Sequence, residues 1–490
     1  MSSRRQILRL GAAGIVAASG AGATYLHTQN ASAGEVGKPK PTPATSKPVS
    51  TPAAFTVPLS VPPTLRPSRV TRDTDYYDVT IGKSYANIVP GARTEVLTYN
   101  GSFPGPTIRA RSGRKVVVRQ KNHLNEPATV HLHGGATEQA SDGSAMDPIK
   151  AGESKIFTYH NLQPHANLWM HDHTHHLESE HLFRGLANLY LLTDKIEESL
   201  PLPKGKYDVP LMLSDTRLDD KGQLVYTMDD AFQRTTLLVN GRPRPYFKVD
   251  ARKYRFRLVN TSNLRMFWLS LSDGTPLTVI GADGGLLPAP YETERLLISP
   301  GERADLIIDF SKYPPGTQLI LKNDLPPGDP ELIGQVIRFD VGRPAPDKSS
   351  IPATLRSLPA IGEADTTRQM VMYMDEVGAG TNAFLNGKAF DPDRIDIDIK
   401  HGTTEEWILT NTSQTIPHNF HTHLVQFRVT GRNGGPATGF ETGLKDTVLL
   451  WPGEFVTLRA TFDTYKGVFP YHCHMVDHSA MGMMAQLRVS

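Results

Sequence analysis

The segment from His472 to Met483 carries the residue types of a copper electron-transfer site. It reads HCHMVDHSAMGM and holds the only cysteine among the 490 residues, Cys473, followed by His478. A thiolate, imidazoles and a distant thioether are the ligands of a blue-copper centre, in which a weak axial Met completes a His2Cys plane. Neighbouring side chains of an extended chain point to opposite faces. The spacing therefore predicts one metal at Cys473 and further metals on the far side, bound by His472 and His474.

Three more histidine clusters lie elsewhere in the chain. They are His131 with His133, His171 with His173, and His418 with His421 and His423. In a strand, residues i and i+2 share a face, so each His-x-His pair can reach one metal cluster. All 18 histidines lie at or before His181 or at or after His401. The distribution predicts two metal-bearing ends and a metal-free middle.

Two other interpretations of these clusters are weaker. A buried free thiol among unrelated histidines leaves the four clusters unexplained. Structural zinc prefers closed sets of four ligands, which a single Cys with ten histidines and a Met does not form. Imidazole and thiolate ligands suit copper.

With these motifs, the chain resembles the multicopper oxidases, specifically the three-domain laccase-like enzymes of the bacterial spore-coat laccase and bilirubin oxidase type. The resemblance runs from about residue 75 to the C-terminus and includes all four ligand motifs. It implies an all-β fold of three tandem cupredoxin-like β-sandwich domains with Greek-key topology. It also implies four copper ions as cofactors: one type 1, one type 2 and two type 3.

The resemblance assigns the ligands by motif position. The type 1 copper is expected at His418, Cys473 and His478, with Met483 as the axial ligand. The type 2 copper is expected at His131 and His421. The two type 3 coppers are expected at His133, His171 and His474, and at His173, His423 and His472.

The resemblance also implies roles beyond metal binding. His478 is expected to lie nearest the surface and to receive electrons from the substrate, and Cys473 to pass them on. Asp142, nine residues after His133, matches the position of a proton-relay acid. The alternative for Asp142 is a turn residue, because Ser-Asp-Gly favours turns. Ser479 stands where many relatives have a second acidic relay, so the second proton path is left open.

An internal repeat organises the chain. Asn-Gly pairs recur at intervals of roughly 140 residues, and each is followed by an apolar strand that ends in Asn; the pairs begin at Asn100, Asn240 and Asn386, and the strands end at Asn122, Asn260 and Asn411. The strand after Asn260 has the apolar run Phe267 to Leu271 in the region where the other repeats have histidines. We predict that domains one and three share the trinuclear cluster and that domain two is a spacer without copper ligands.

Composition supports an all-β chain with many turns between short strands. There are 41 Gly and 38 Pro, many of them in turn clusters between short β-branched runs. We predict domain one over residues 69–195, domain two over 196–355 and domain three, with the type 1 copper, over 356–490.

The N-terminal residues read as a targeting segment. Arg4 and Arg5 form a twin-arginine motif ahead of a weakly apolar run, and Ala31 to Ala33 provides a small-residue cleavage site. We expect a signal peptide over residues 1–33, export through the twin-arginine translocon, and a secreted, periplasmic or cell-surface location. Residues 34–68 are rich in Pro, Thr and Ser, which predicts a flexible tether. No stable membrane insertion is expected after cleavage.

The function expected from these features is a laccase-like oxidase. It would couple one-electron oxidation of phenolic or aminophenolic donors to the four-electron reduction of O2 to water. The first alternative is a cuprous or manganous ion oxidase; the second, from another class, is a non-catalytic cupredoxin-fold scaffold, against which the complete ligand set argues. The net charge of +2 is too small to indicate a nucleic-acid partner, and none is expected. We expect a monomer whose partners are a small aromatic reductant and O2.

Overall fold

The computed structural model describes residues 51–325, 329–375 and 382–490. The predicted signal peptide and residues 34–50 of the predicted tether lie outside them. Strands dominate the described residues. The α-helices found there are short: α1 (Glu178–Arg184), α2 (Lys195–Ser199), α3 (Pro330–Ile333) and α4 (Val476–Ala480). Single 3-10 turns cover Gln139–Ser141, Gly205–Tyr207, Ala231–Gln233, Phe310–Lys312 and Gly439–Thr442.

The first region contains two sheets. Its strands are β1 (Arg69–Val70), β2 (Thr74–Ala86), β3 (Thr94–Tyr99), β4 (Ile108–Arg111), β5 (Lys115–Asn122), β6 (His131–His133), β7 (Ser154–Tyr159), β8 (Ala166–His171) and β9 (Ala187–Thr193). One sheet has the order β1-β2-β5-β7, with β3 paired to β2, and the other has the order β4-β9-β8-β6.

The middle region repeats this plan. Its strands are β10 (Asp208–Thr216), β11 (Thr236–Val239), β12 (Arg242–Pro243), β13 (Tyr246–Ala251), β14 (Lys253–Asn260), β15 (Phe267–Leu271), β16 (Leu277–Ala282), β17 (Gly285–Thr293), β18 (Leu296–Ile298), β19 (Arg303–Asp309), β20 (Gln318–Asn323) and β21 (Gln335–Pro344). The two sheets have the orders β12-β11-β10-β14-β19-β16-β17 and β13-β21-β20-β15-β18.

The third region has the same two-sheet plan. Its strands are β22 (Thr366–Met374), β23 (Ala383–Leu385), β24 (Ile397–Ile399), β25 (Thr404–Asn411), β26 (His418–Thr422), β27 (Phe427–Arg432), β28 (Leu444–Lys445), β29 (Thr447–Leu450), β30 (Phe455–Thr461), β31 (Gly467–Cys473) and β32 (Met484–Val489). The sheets have the orders β23-β22-β25-β30-β27-β28 and β24-β32-β31-β26-β29. The all-β, cupredoxin-like fold class predicted from sequence is confirmed.

The repeated asparagines build the same corner three times. Asn122, Asn260 and Asn411 end β5, β14 and β25, and each of these strands pairs in parallel with the first long strand of its region. Each side-chain amide donates to two backbone carbonyls, and each side-chain oxygen accepts the N–H of the residue two positions later. A buried amide satisfied in this way fixes where the next strand starts. In the first and third regions, that next strand carries histidines.

Each region has its own buried apolar core, and the predicted boundaries near residues 195 and 355 stay predictions. In the third core, Met370, Met372 and Met374 lie side by side on the inner face of β22, all fully buried. They are core residues, as their i, i+2, i+4 spacing indicates. Methionines buried there do not form an exposed site for Cu(I).

The predicted tether is wrong for its second half. From residue 51 onward the chain is hydrogen-bonded to the other regions through its backbone. The N–H of Phe55 donates to the carbonyl of Arg244, and the N–H of Leu59 donates to the carbonyl of Tyr246. The N–H of Leu65 donates to the carbonyl of Thr107. The composition is that of a linker, but extended Pro-rich backbone can add to a sheet edge wherever free N–H groups alternate with Pro. In the described part of the chain, no helix has the length and apolar character needed to cross a membrane.

Candidate metal centres

Cys473 lies in a buried three-ligand site within the third region. Cys473 ends β31, His418 begins the adjacent strand β26, and His478 lies on α4. The Sγ atom is 3.9 Å from Nδ1 of His418 and 3.7 Å from Nδ1 of His478, and the two nitrogens are 3.2 Å apart. The Nε2 of His418 is hydrogen-bonded to Ser413 at 2.8 Å, which leaves Nδ1 to face the thiol. Three ligand atoms thus converge on one point.

The ionisation of these groups suits a bound cation. Burial lowers the pKa of His418 well below its usual value and the pKa of His478 to about 4, so both rings are neutral and can donate a lone pair. Burial raises the pKa of the Cys473 thiol to about 12. A metal bound to the sulfur reverses that shift, because ligation requires the thiolate. The donor set therefore fits a soft metal such as copper.

The loop to Met483 is closed by the backbone. The N–H of Cys473 donates to the carbonyl of Met483, and the N–H of Met483 donates to the carbonyl of His478, both at 3.0 Å. Met483 is fully buried in the same core as Cys473. His478 is 3% exposed, whereas His418, Cys473 and Met483 are fully covered.

A second centre joins the two ends of the chain. Eight buried histidines, four from each end, form one cluster: His131, His133, His171, His173, His421, His423, His472 and His474. The ring of His131 stacks on that of His423 with centroids 3.6 Å apart, and His133 stacks on His421 at 3.9 Å. Each stack pairs a histidine of the first region with one of the third.

The ring nitrogens of the cluster face one another. The Nδ1 of His133 is 3.0 Å from Nε2 of His474, and the Nε2 of His472 is 3.1 Å from that of His173 and 3.3 Å from that of His423. Three other histidines of the cluster have an Nε2 atom without a hydrogen-bond partner among the described residues. They are His131, His171 and His421. Buried polar atoms left unpaired and turned towards each other fit metal ions, which take the place of the missing donors.

Burial accounts for the charge state of this cluster. It lowers the pKa of His133, His421 and His472 well below the usual value, and neighbouring histidines add to the shift. These three rings are therefore neutral at neutral pH. Ligand atoms of His173, His423 and His472 lie within 4.8 Å of one another, as do those of His131, His133 and His171. The structure thus brings the predicted histidine ligands together.

Two aspartates hold the cluster from opposite sides. The carbonyl of Asp142 accepts from Nδ1 of His131 at 2.7 Å, and its carboxylate accepts from Nδ1 of His423 at 2.8 Å. The carbonyl of Asp446 accepts from Nδ1 of His421 at 2.8 Å, and its carboxylate contacts Nε2 of His133 at 2.9 Å. Each aspartate fixes one histidine of its own end through its backbone and one of the other end through its side chain. Such outer partners set the orientation of metal-binding imidazoles.

Asp446 and Arg303 were missed from the sequence. Both Nη atoms of Arg303, on β19 of the middle region, donate to the Asp446 carboxylate, and Nε of Arg303 donates to the carbonyl of Asn167 at 2.8 Å. Asp446 is thereby held as an ion pair. Neither residue belongs to a motif, and a long-range contact leaves no local signal in the sequence.

The middle region also touches the cluster through its backbone. Gly301 has a positive φ of 83°, and a Cβ placed there would lie 2.8 Å from Nδ1 of His474. Asn419, on β26, donates to the carbonyl of Pro300 at 2.7 Å. The predicted spacer thus forms part of the wall of the metal site, although it supplies no histidine.

Comparison with protein families finds the same family in three consecutive parts of the chain. Three family models described as multicopper oxidase match residues 80–196, 198–331 and 363–490. Bilirubin oxidase of Albifimbria verrucaria is 35% identical over 466 residues, covering 88% of this chain and 80% of that protein. A laccase of Bacillus subtilis is 33% identical over 507 residues, covering 88% of this chain and 98% of that protein.

Solved structures agree with these relatives. A laccase from Pediococcus acidilactici superposes with a TM-score of 0.83 at 34% identity, covering 91% of this chain and 96% of that one. A multicopper oxidase from Campylobacter jejuni, described as a metallo-oxidase, superposes with a TM-score of 0.80 at 27% identity, covering 91% of this chain and 98% of that one.

Proposed function

The chain belongs to the multicopper oxidase family and is an oxidase, and from this premise we propose that it couples one-electron oxidation of phenolic or aminophenolic donors to the reduction of O2 to water. In this proposal, His418, Cys473, His478 and Met483 would hold the type 1 copper. His131 and His421 would hold the type 2 copper. The type 3 coppers are assigned to the two histidine triads His133, His171 and His474, and His173, His423 and His472.

One observation carries the proposal: Cys473 faces one centre while its two neighbours face the other. Its Sγ lies against His478, whereas His474 contacts His133 and His472 contacts His173. Copper bound at the two centres supplies reversible one-electron chemistry and binds dioxygen. The peptide on either side of Cys473 links the centres through a few covalent bonds, so an electron received at the thiolate passes to the histidine cluster without crossing solvent.

Protons follow a different route from electrons. Asp142 is fully buried and its carboxylate touches His423. We assign it the transfer of protons to the cluster, because a carboxyl group fixed beside the reacting centre acts as a general acid. The same hydrogen bond also orients the His423 ring.

The surface beside His478 favours an aromatic donor. The N–H of Asp229 donates to the carboxylate of Asp477 at 2.8 Å, which brings the segment around Asp229 against α4. That segment exposes two apolar side chains, Met228 at 40% and Phe232 at 53%. Apolar side chains kept exposed beside a redox site suit a planar aromatic molecule.

Export is proposed on the sequence alone. Arg4 and Arg5 precede a Gly- and Ala-rich apolar run. A twin-arginine route carries folded proteins, which allows copper to be inserted before export. N-terminal sequencing of the protein recovered outside the cytoplasm tests this, with cleavage after Ala33 as the expected result.

A metal analysis and a donor screen test the oxidase. We expect about four copper ions per chain and a blue absorption band. Phenols and aminophenols should be oxidised with consumption of O2. A protein that oxidises Cu(I) or Mn(II) at much higher kcat/KM than any phenol would instead support the second candidate, a metallo-oxidase, which the likeness to the Campylobacter jejuni enzyme favours.

A further inference from the structure

The buried carboxyl group of Glu178 lies outside both ligand sets and the electron path. Glu178 begins α1 and is 1% exposed. Neither of its Oε atoms has a hydrogen-bond partner among residues 51–325, 329–375 and 382–490. An ionised carboxylate without donors is strongly disfavoured in such a place, whereas the neutral acid is tolerated. The geometry therefore favours a Glu178 that carries a proton.

The groups around Glu178 bring its protonation into the neutral range. Burial raises the pKa of Glu178 to about 8; the backbone N–H of Glu178 itself lowers the pKa, Asp172 and Asp477 raise it, and His181 lowers it. Asp477 is itself paired with Arg234 at 2.9 Å. An acid with a pKa near the working pH both gives and regains a proton readily.

A short chain of titratable groups connects Glu178 with solvent. His181 lies three residues later on α1, so the two side chains are neighbours on the helix surface. The Nε2 of His181 is 3.4 Å from Oε1 of Glu126, whose side chain is 45% exposed. The Nδ1 of His181 is 3.2 Å from Asp172. Burial lowers the pKa of His181, but Asp172 and Glu126 outweigh it and the pKa is raised, so His181 accepts protons near neutral pH.

Glu178 also lies close to the metal-binding segments. Its N–H donates to the carbonyl of Thr174, the residue directly after His173, at 2.8 Å. The next residue, Ser179, donates to the carboxylate of Asp477 on α4. Glu178 therefore lies where the segment of His171 and His173 meets the helix of His478.

We propose that Glu178 is the proton-holding acid for oxygen reduction, loaded from solvent through Glu126 and His181. The Glu178 carboxyl releases protons towards the oxygen being reduced, in addition to those that pass through Asp142, and regains each of them from His181. The two routes together deliver four protons, which with four electrons convert one O2 into two waters. Glu178 thus supplies the carboxyl group that Ser479 lacks. The inference rests on the proposed function.

Infrared titration of the copper-loaded protein tests the proton on Glu178 without reference to turnover. The wild type should show the carbonyl band of a protonated carboxyl group near pH 7, and the band should fade as the pH rises through about 8. In Glu178→Gln, which keeps the shape of the neutral acid, this band should be absent. The matched control is Glu180→Gln, an exposed carboxylate of the same helix paired with Arg184, which should leave the band unchanged.

Rapid mixing with O2 after full reduction tests the delivery of the proton. Reoxidation should slow about a hundred-fold in Glu178→Gln, while reduction of the blue centre by the donor keeps its rate. His181→Gln should also slow reoxidation but should retain the carbonyl band, because this variant interrupts only the supply of protons from solvent to Glu178.

Two kinds of failure are separable. An identical carbonyl band in wild type and Glu178→Gln, or reoxidation of Glu178→Gln at the wild-type rate, overturns the role of Glu178 alone. A wild type that binds no copper and consumes no O2 overturns the proposed function, and with it this inference.

Discussion

The strands β15 and β26 hold the same place in two regions of one fold, yet only β26 carries histidines. Each follows a buried Asn with the same three hydrogen bonds, Asn260 before β15 and Asn411 before β26. Phe267 and Leu269 fill the core of the middle region, whereas His418 and His421 lie in the two centres. The middle region has this fold without histidines on the corresponding strand. The chemistry resides in side chains placed on a scaffold that stands without them.

The middle region supplies no proposed metal ligand, but it still contributes to the structure around the histidine cluster. The middle region supplies Arg303 to Asp446 and presses Gly301 against His474. It thereby forms the outer wall of a cluster whose ligands all come from the two ends. A region without histidine can still decide how tightly the histidines are held.

The largest effect is expected from removing the one ligand that no other residue type replaces. Cys473→Ser should abolish the blue band and the oxidase activity together, because the hydroxyl does not form the soft thiolate bond. The third region of this variant should resemble the middle region: it should be folded but hold no type 1 copper. Absorption spectra, copper analysis and O2 uptake check this. A variant that stays blue would show that another ligand set holds the metal.

Asp142→Asn is expected to have the next largest effect. The amide oxygen still accepts from His423, so the ring keeps its orientation, but the proton-carrying carboxyl is lost. Reoxidation by O2 should slow about a hundred-fold, and the blue colour should stay bleached during turnover. Asp147→Asn, an exposed carboxylate of the same loop, is the control. If Asp142→Asn turns over normally, Asp142 is only a turn residue.

Gly301→Ala tests the contribution of the middle region. The added Cβ meets the His474 ring, so copper content and the reoxidation rate should fall, the rate by roughly ten-fold, because small misplacements of reacting groups are costly. Gly274→Ala is matched in backbone, with a φ of 78°, but a Cβ there meets nothing within 4 Å. It should cost about 1–2 kcal/mol of stability and leave copper unchanged. If the two variants have the same copper content and the same reoxidation rate, the packing of Gly301 against His474 does not affect the metal site.

The smallest effect separates folding from function. Asn260→Ala removes a buried amide with two donated bonds and one accepted bond, which should cost about 1–3 kcal/mol. Asn411→Ala should cost a similar amount and also loosen His418 on the following strand. Thermal unfolding of both variants, with and without copper, checks this. If the blue band were lost in Asn260→Ala but not in Asn411→Ala, the middle region rather than the third would control the blue-copper site, which contradicts our comparison.

Local spacing made the Cys473 site predictable. The proposed ligands Cys473, His478 and Met483 lie within a short segment, and alternation along a strand sends His472 and His474 the other way. Asp142 was predicted to be a proton-relay acid because its position nine residues after His133 matches that of such an acid in the resemblance, and this role stays a prediction. The prediction of a flexible tether failed over residues 51–68: composition indicates a linker, but it does not reveal whether a neighbouring sheet edge accepts the chain.

The sequence by itself determined the donor atoms, the threefold repeat and the absence of histidine from the middle region, because residue types and their spacing are written along the chain. Only the tertiary structure decided which groups surround those donors. Asp446 meets His133, Arg303 meets Asp446, and the carboxyl oxygens of Glu178 have no hydrogen-bond partner among the described residues. These contacts join positions hundreds of residues apart or depend on how two short helices meet. Burial and charge pairing arise only when the chain folds, and they set the protonation on which the chemistry depends.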